Sequence, residues 1–390
     1  MLMHCLAAGR AISLPALGAA MQRTALFVVT GYGRIREQFG LPIGKFQAVA
    51  ALIAEIAQDR YASDAARRFT AAALDGGGRP SVASAILKVQ LIEAGRRAVN
   101  HGMDILGGKG IIRGPGNLLA VAYGHAPIDI TVEDANLMSR ALIIFGQGAV
   151  RCHLQVLAEM NAVERNDADA LGQALLAHAG HLARKLLRSL AGARLLGEPP
   201  ADLTMGLLGG QLKRMALLSA RLGDVLSALY LAAACVWRYE VEAEPAMLAL
   251  ARAAIGRQLA GAARALRELV HNLPSKPLVF IAPLLLRGTR QLRPVDDTRS
   301  LALDEALRSN KVLISRLCPD VGVPRAGGLR DLMQALKLAQ SLGDEWPALN
   351  KQLRRSRSLE EAAAGASDPA AALAYLRAAD RVIQVDDFAP

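Results

Sequence analysis

The sequence predicts an all-α protein, and three observations carry that reading. Hydrophobic residues make up 52% of the 390 residues but aromatics only 4%, so the apolar content is chiefly alanine and leucine, both strong helix formers. β-branched residues do not gather into the alternating runs of a sheet. Val28-Val29 and Leu278 to Ile281 are the two weak strand candidates. Apolar residues instead recur at spacings of three and four, the repeat of one helix face.

Phe46, Val49, Ile53 and Ile56 mark the first such face. Asp75-Gly76-Gly77-Gly78-Arg79-Pro80 is a break. Ser81 reads as a cap ahead of Val82, Ile86 and Val89. Gly107-Gly108-Lys109-Gly110 ends that helix, and residues 111–130 read as a loop rich in Gly and Pro. Thr131 then opens a helix, its hydroxyl capping with Asp134 three residues on. That helix carries Leu137, Leu142, Ile143 and Phe145, and Gly146-Gln147-Gly148 interrupts it. The charged stretch Glu159 to Asp169 reads as a boundary, which predicts domains at 1–160 and 165–390. Beyond it, Leu218, Leu222, Val225 and Leu229 share a face, and Ala246 to His271 forms a helix after Pro245. Pro274, Pro277 and Pro283 break the pattern. Leu329, Leu332, Met333 and Leu336 mark a late amphipathic helix, and Lys351 to Pro369 reads as surface or linker.

The formal net charge is +11, from 46 basic and 35 acidic residues. A cationic chain suits nucleic acid, anionic lipid, an anionic metabolite or simply solvent. No zinc-finger spacing and no basic-aromatic stripe supports nucleic acid. Cysteines 5, 152, 235 and 318 are far apart and form no CxxC, as in a reduced cytoplasmic chain. His178 and His181 form one helical pair without a third ligand, so no metal is expected. The longest apolar run, Val225 to Trp237, falls short of the about 20 residues a bilayer span needs. The opening residues lack the basic stretch of a secretion signal.

Three motifs carry chemistry. The first is Tyr32-Gly33-Arg34-Ile35-Arg36-Glu37-Gln38-Phe39-Gly40-Leu41-Pro42-Ile43-Gly44-Lys45-Phe46-Gln47. An Arg fork gives paired charge-assisted hydrogen bonds to a pyrophosphate, although Arg36 taken alone also reads as a surface helix charge. The second is Asp104-Ile105-Leu106-Gly107-Gly108-Lys109-Gly110, whose glycines let a backbone approach a phosphate or ring, or simply cap a helix. The third is Thr131-Val132-Glu133-Asp134-Ala135-Asn136, with Ile144-Phe145-Gly146-Gln147-Gly148-Ala149-Val150-Arg151-Cys152-His153 behind it. Glu133 by itself is an ordinary first-turn carboxylate or a base.

Together these segments resemble acyl-CoA dehydrogenases, whose patterns read Y-x-x-x-R-x-x-F-G-x-x-I-x-x-F-Q and Q-x-x-G-G-x-G. The T-V-E-x-A-N and I-F-G-Q-G-A-x-R-C-H segments are similar to the bacterial long-chain FadE type. So are Met1 to Arg10 and the ending Ile383-Gln384-Val385-Asp386-Asp387-Phe388. The resemblance implies a C-terminal four-helix bundle followed by a further helical domain. It implies FAD as cofactor, with Arg36 at its phosphates, Phe39 and Gln47 beside it, and the Asp104, Gly107, Gly108 turn near the adenosine of a neighbouring subunit. Glu133 falls on the family's catalytic base, and Arg10 and Asp134 on the substrate side. The implied reaction converts fatty acyl-CoA to trans-2-enoyl-CoA, with an electron-transfer flavoprotein as acceptor.

Asp104 stands where the family commonly has Gln, and Asp134 where it has Gly. Gly124 and His125 replace an Arg-Asp pair. Asp134 would either raise the pKa of Glu133 by like-charge repulsion or crowd the substrate. By the resemblance, the chain starts near the first helix of the C-terminal domain. It is therefore expected to be truncated or split, lacking tightly bound flavin alone, and either homo-oligomeric or completed by an N-terminal half. The competing expectation is a non-catalytic helical module. Its face of Arg184, Lys185, Arg188 and Arg194 would dock on a partner subunit or peripherally on the inner membrane.

Overall fold

The computed structural model describes residues 2–78, 80–132, 135–141, 144, 154–177, 215–274, 296–319, 321–322 and 325–384. Helices dominate them. In chain order they are α1 (Leu2–Ile35), α2 (Gln47–Asp75), α3 (Ser81–Leu106), α4 (Gly108–Ile111), α5 (Ala120–Asp129), α6 (Asn136–Met138) and α7 (Leu154–Glu164). There follow α8 (Ala216–Glu242), α9 (Leu248–His271), α10 (Asp297–Ser309), α11 (Lys311–Leu317), α12 (Gly328–Ser341), α13 (Trp346–Leu353), α14 (Leu359–Ala363) and α15 (Pro369–Ile383). Among the described residues the only strands are β1 (Glu37–Gln38) and β2 (Leu41–Pro42), an antiparallel pair. The all-α expectation holds.

The chain forms two compact units from interleaved stretches. One comprises Met1–Gly18, Tyr61–Glu93 and Ile128–Asp296; the other comprises Ala19–Arg60, Ala94–Pro127 and Asp297–Pro390.

In the first unit, α8 packs on α9 through Leu218, Leu222 and Val225 against Ala265, Leu266 and Leu269, with Leu229 alongside. This is the face that the spacing predicts. At Gly18 of α1, a Cβ would lie 2.5 Å from the Leu91 carbonyl oxygen of α3, so only glycine allows this approach. An ion network ties α8 to the second half of α2. Arg238 is 2% exposed, 3.3 Å from Asp64 and 3.2 Å from Glu242, with its guanidinium 4.5 Å from the centre of the Tyr61 ring. Arg68 reaches both acids, at 3.1 Å and 2.6 Å. Burial of charge is tolerable here because each ion has partners.

In the second unit, Met21, Val99 and Ala126 form a small core cluster against Ala122. Gly31 of α1 faces Leu332 and Leu336 of α12. Arg60 Nε donates to the Leu317 carbonyl at 2.9 Å, and Arg97 pairs with Asp59 at 2.9 Å.

Several expectations are corrected. Residues 120–129 are helical rather than loop, because Asn117 caps α5: its Oδ1 accepts from the Leu119 and Ala120 N–H groups, both at 2.9 Å. The Thr131 hydroxyl donates to the Ile128 carbonyl, and the next helix among the described residues starts at Asn136. Leu137 is exposed. Val28 and Val29 lie buried inside α1. The stretch 351–369 contains α14, whose Ala362 and Ala363 are buried. Within the stretch 159–169, α7 ends at Glu164.

By length and composition two helices, Ala11–Ile35 and Ala216–Glu242, are sufficient to cross a bilayer, contrary to the reading of apolar runs. Over half of each is buried inside the protein. Their polar residues bond internally: Thr30 to the carbonyl of Leu26, Ser227 to that of Gly223. Leu278 to Ile281, the His178–His181 pair and the Arg184–Arg194 face lie outside the described residues. Among the described residues no three metal-ligating side chains gather, and Cys235 and Cys318 are buried free thiols.

Candidate functional site

The segment 32–47 builds a hairpin that periodicity alone did not indicate. α1 ends at Ile35, and the Arg36 N–H still bonds back to the Tyr32 carbonyl at 2.8 Å. The chain then reverses over Phe39 and Gly40, with φ of +50° and +83°. Two successive positive φ values between paired strands define a type I′ turn. Gly40 adopts its value freely, but a side chain such as that of Phe39 is strained by about 1–2 kcal/mol. The Ile43 N–H bonds to the Arg36 carbonyl at 2.8 Å and closes the loop. The returning chain lies against α1 because Gly33 and Gly44 meet there; a Cβ on Gly44 would sit 3.0 Å from the Gly33 carbonyl oxygen.

This hairpin brings the first group of candidate residues together. Arg36 is half-buried, and its guanidinium donates to the side-chain carbonyl of Gln38. Tyr32 is 3% exposed; burial raises its phenol pKa, and the charge of Arg36 opposes the rise. Phe39 is 94% exposed and touches Phe46 edge-on, ring centres 6.2 Å apart. Gln47 is exposed at the first position of α2.

The second group stands at the end of α3, in the same compact unit. Asp104, Gly107 and Gly108 are all exposed. Gly107 has φ +56°, its N–H bonds to the Met103 carbonyl at 2.9 Å, and no atom lies within 4 Å of where its Cβ would be. Positive φ with ψ of −129° sets Gly107 outside the left-handed helical region, in a conformation open to glycine, and its backbone lies bare at the surface. Lys109 points inward and is 2% exposed. Its ammonium donates to the carbonyls of Arg381 (3.1 Å) and Gln384 (2.8 Å).

Glu133 and Asp134 lie outside the described residues, as does the side chain of Arg10, whose backbone is in α1. The chain on both sides of Glu133 is anchored. The Asn136 N–H bonds to the Ile130 carbonyl at 3.0 Å, and the Asn136 side chain donates to Glu93 at 2.8 Å. Lys88 reaches the Ile130 carbonyl at 3.4 Å.

Sequence reasoning missed Glu37, Lys109 and Arg354. Glu37 accepts from Arg354 at 2.6 Å and from Asn350 at 3.2 Å.

The all-helical fold that carries this hairpin and turn recurs in known proteins. The structure overlays on an acyl-CoA dehydrogenase complexed with FAD from Bacillus anthracis, TM-score 0.62, covering 79% of this chain and 56% of that one at 17% identity. Residues 1–160 match the acyl-CoA dehydrogenase C-terminal domain, and residues 199–388 match the bacterial-type acyl-CoA dehydrogenase C-terminal region. The chain thus carries acyl-CoA dehydrogenase C-terminal domains. Acyl-CoA dehydrogenase FadE34 of Mycobacterium tuberculosis is 38% identical over 102 residues, 25% of this chain and 14% of that protein. Probable acyl-CoA dehydrogenase YngJ of Bacillus subtilis is 34% identical over 153 residues, 38% of this chain and 35% of that protein. The match therefore spans about a third or less of these curated relatives.

Proposed function

We propose that the chain is the C-terminal part of an FAD-dependent acyl-CoA dehydrogenase of the FadE type, acting on medium- to long-chain fatty acyl-CoA. The observation that carries this reading is Phe39, an aromatic ring held in a left-handed turn with 94% of it exposed, three residues from Arg36. Backbone strain of this kind persists where a site uses it. A bare ring beside a guanidinium suits a cofactor that joins an apolar ring system to a pyrophosphate. The uncovered backbone at Gly107 and Gly108 suits close approach of its nucleotide end. The residues present therefore fit FAD.

Arg36 binds the phosphates, and Phe39 and Gln47 line the cofactor. Asp104, Gly107 and Gly108 receive the nucleotide; Asp104 offers acceptors only, where the family's Gln also donates. When bound, FAD supplies the acceptor for the substrate's β-hydrogen. Glu133 takes the α-proton. Arg10 lies on the substrate side. The product is the trans-2-enoyl-CoA, an electron-transfer flavoprotein takes the electrons, and the working form is a cytoplasmic homo-oligomer. In an enzyme completed with the domains its relatives carry, Glu133→Gln is expected to lower turnover by at least about 100-fold while flavin stays bound. Unchanged turnover removes Glu133 from the role.

A further inference from the structure

We propose that Lys109 and Glu37 are positioning residues, through which the C-terminal helices α12 to α15 hold both flavin motifs in place; this rests on the FAD reading above. Lys109 sits between the two bare glycines and Gly110 and ties the turn to α15, while Asn117 holds the Gly110 carbonyl from within the following loop at 2.6 Å. Its buried ammonium needs partners, and it takes them from the carbonyls of Arg381 and Gln384. Those carbonyls are the C-terminal end of α15, where the helix dipole favours a cation.

Glu37 does the same for the hairpin. It is the neighbour of Arg36, and its carboxylate receives Arg354 and Asn350 from the end of α13. Gly40 makes room, since a Cβ there would lie 3.4 Å from the Arg354 guanidinium. A third tie joins the Gly328 N–H to the Pro115 carbonyl at 2.6 Å. The helices that provide these ties are themselves joined: Arg381 pairs with Asp331 at 3.0 Å, and Trp346 packs edge-on against Tyr375. One connected brace therefore reaches the arginine hairpin and the twin-glycine turn, all within one compact unit. Two glycines in succession cannot hold a geometry by packing, so the turn's readiness for a nucleotide depends on that brace.

The test uses the completed enzyme of the proposed function, stripped of flavin and titrated with FAD and separately with FMN by quenching of flavin fluorescence. K109M is expected to weaken FAD binding about tenfold and to leave FMN, which lacks the adenylate, unchanged. K109R should restore most of the affinity. R354Q, on a half-exposed side chain, should weaken FAD and speed amide exchange across residues 36–41. R377Q, which breaks an exposed pair with Glu360 on the same helices, should change neither. Wild-type FAD affinity in both K109M and R354Q overturns the proposal, as does an equal loss of FAD and FMN in K109M. If K109M does not fold, R354Q decides alone. A completed enzyme, unchanged at these positions, that takes up neither flavin sinks the FAD reading, and the positioning role with it.

Discussion

Replacing Phe39 by Asn separates a functional ring from a structural one. At φ +50° a phenylalanine is strained by about 1–2 kcal/mol, whereas Asn adopts the left-handed region readily. The substitution also loses the edge-on contact with Phe46, worth about 0.5–1.5 kcal/mol for a full aromatic pair. Because Phe39 is 94% exposed, that contact belongs at the low end. The balance predicts that F39N is more stable than wild type by about 0.5–1 kcal/mol in urea unfolding. FAD affinity of the completed enzyme carrying the same substitution, read by fluorescence quenching, should meanwhile fall about fivefold or more. Gained stability with lost binding is the signature of a residue kept for its ligand. A variant destabilised by more than about 1 kcal/mol with unchanged FAD affinity would refute the reasoning and make Phe39 a packing residue.

Two predictions concern the frame. R238M strips the Asp64–Glu242 network of its most buried cation and should cost about 2–4 kcal/mol, with Arg68 remaining to moderate the loss; a urea-melt difference below about 1 kcal/mol would contradict the network's role. Asp304 is buried, pairs with Arg308 at 2.7 Å, and no described residue bonds its Oδ1. Burial pushes its pKa up to about 6, above the unfolded value, so the folded state binds the proton more tightly. This group therefore adds stability as pH falls from about 7 through 6 toward 4, and that increment is lost as pH rises again. D304N should flatten this part of the stability profile, and an identical slope in both proteins would show that Asp304 does not titrate there.

Helix periodicity made the frame legible because each long helix buries one stripe: the Leu218, Leu222, Val225 and Leu229 face packs on α9 as its spacing implies. The hairpin was not legible as structure, since two-residue strands have no period to read. Gly114, Pro115 and Gly116 suggested a loop, but Asn117 just beyond them starts α5. The membrane estimate failed because it sought uninterrupted apolar runs, while α1 and α8 carry polar side chains that bond within the protein. Arg36, Phe39 and Gln47, singled out by resemblance, lie on the hairpin or at the start of the helix behind it. Lys109 was visible between its glycines, yet its partners lie some 270 residues away in sequence, a separation no local pattern spans.

The base assigned to Glu133 can be tested apart from electron transfer. Incubating the completed, FAD-loaded enzyme with a fatty acyl-CoA in heavy water, without an electron acceptor, and weighing the recovered thioester counts α-proton removals directly. Wild type is expected to incorporate deuterium at the carbon next to the thioester, and E133Q to return it unlabelled with flavin still bound. Equal labelling by the two proteins would contradict the account.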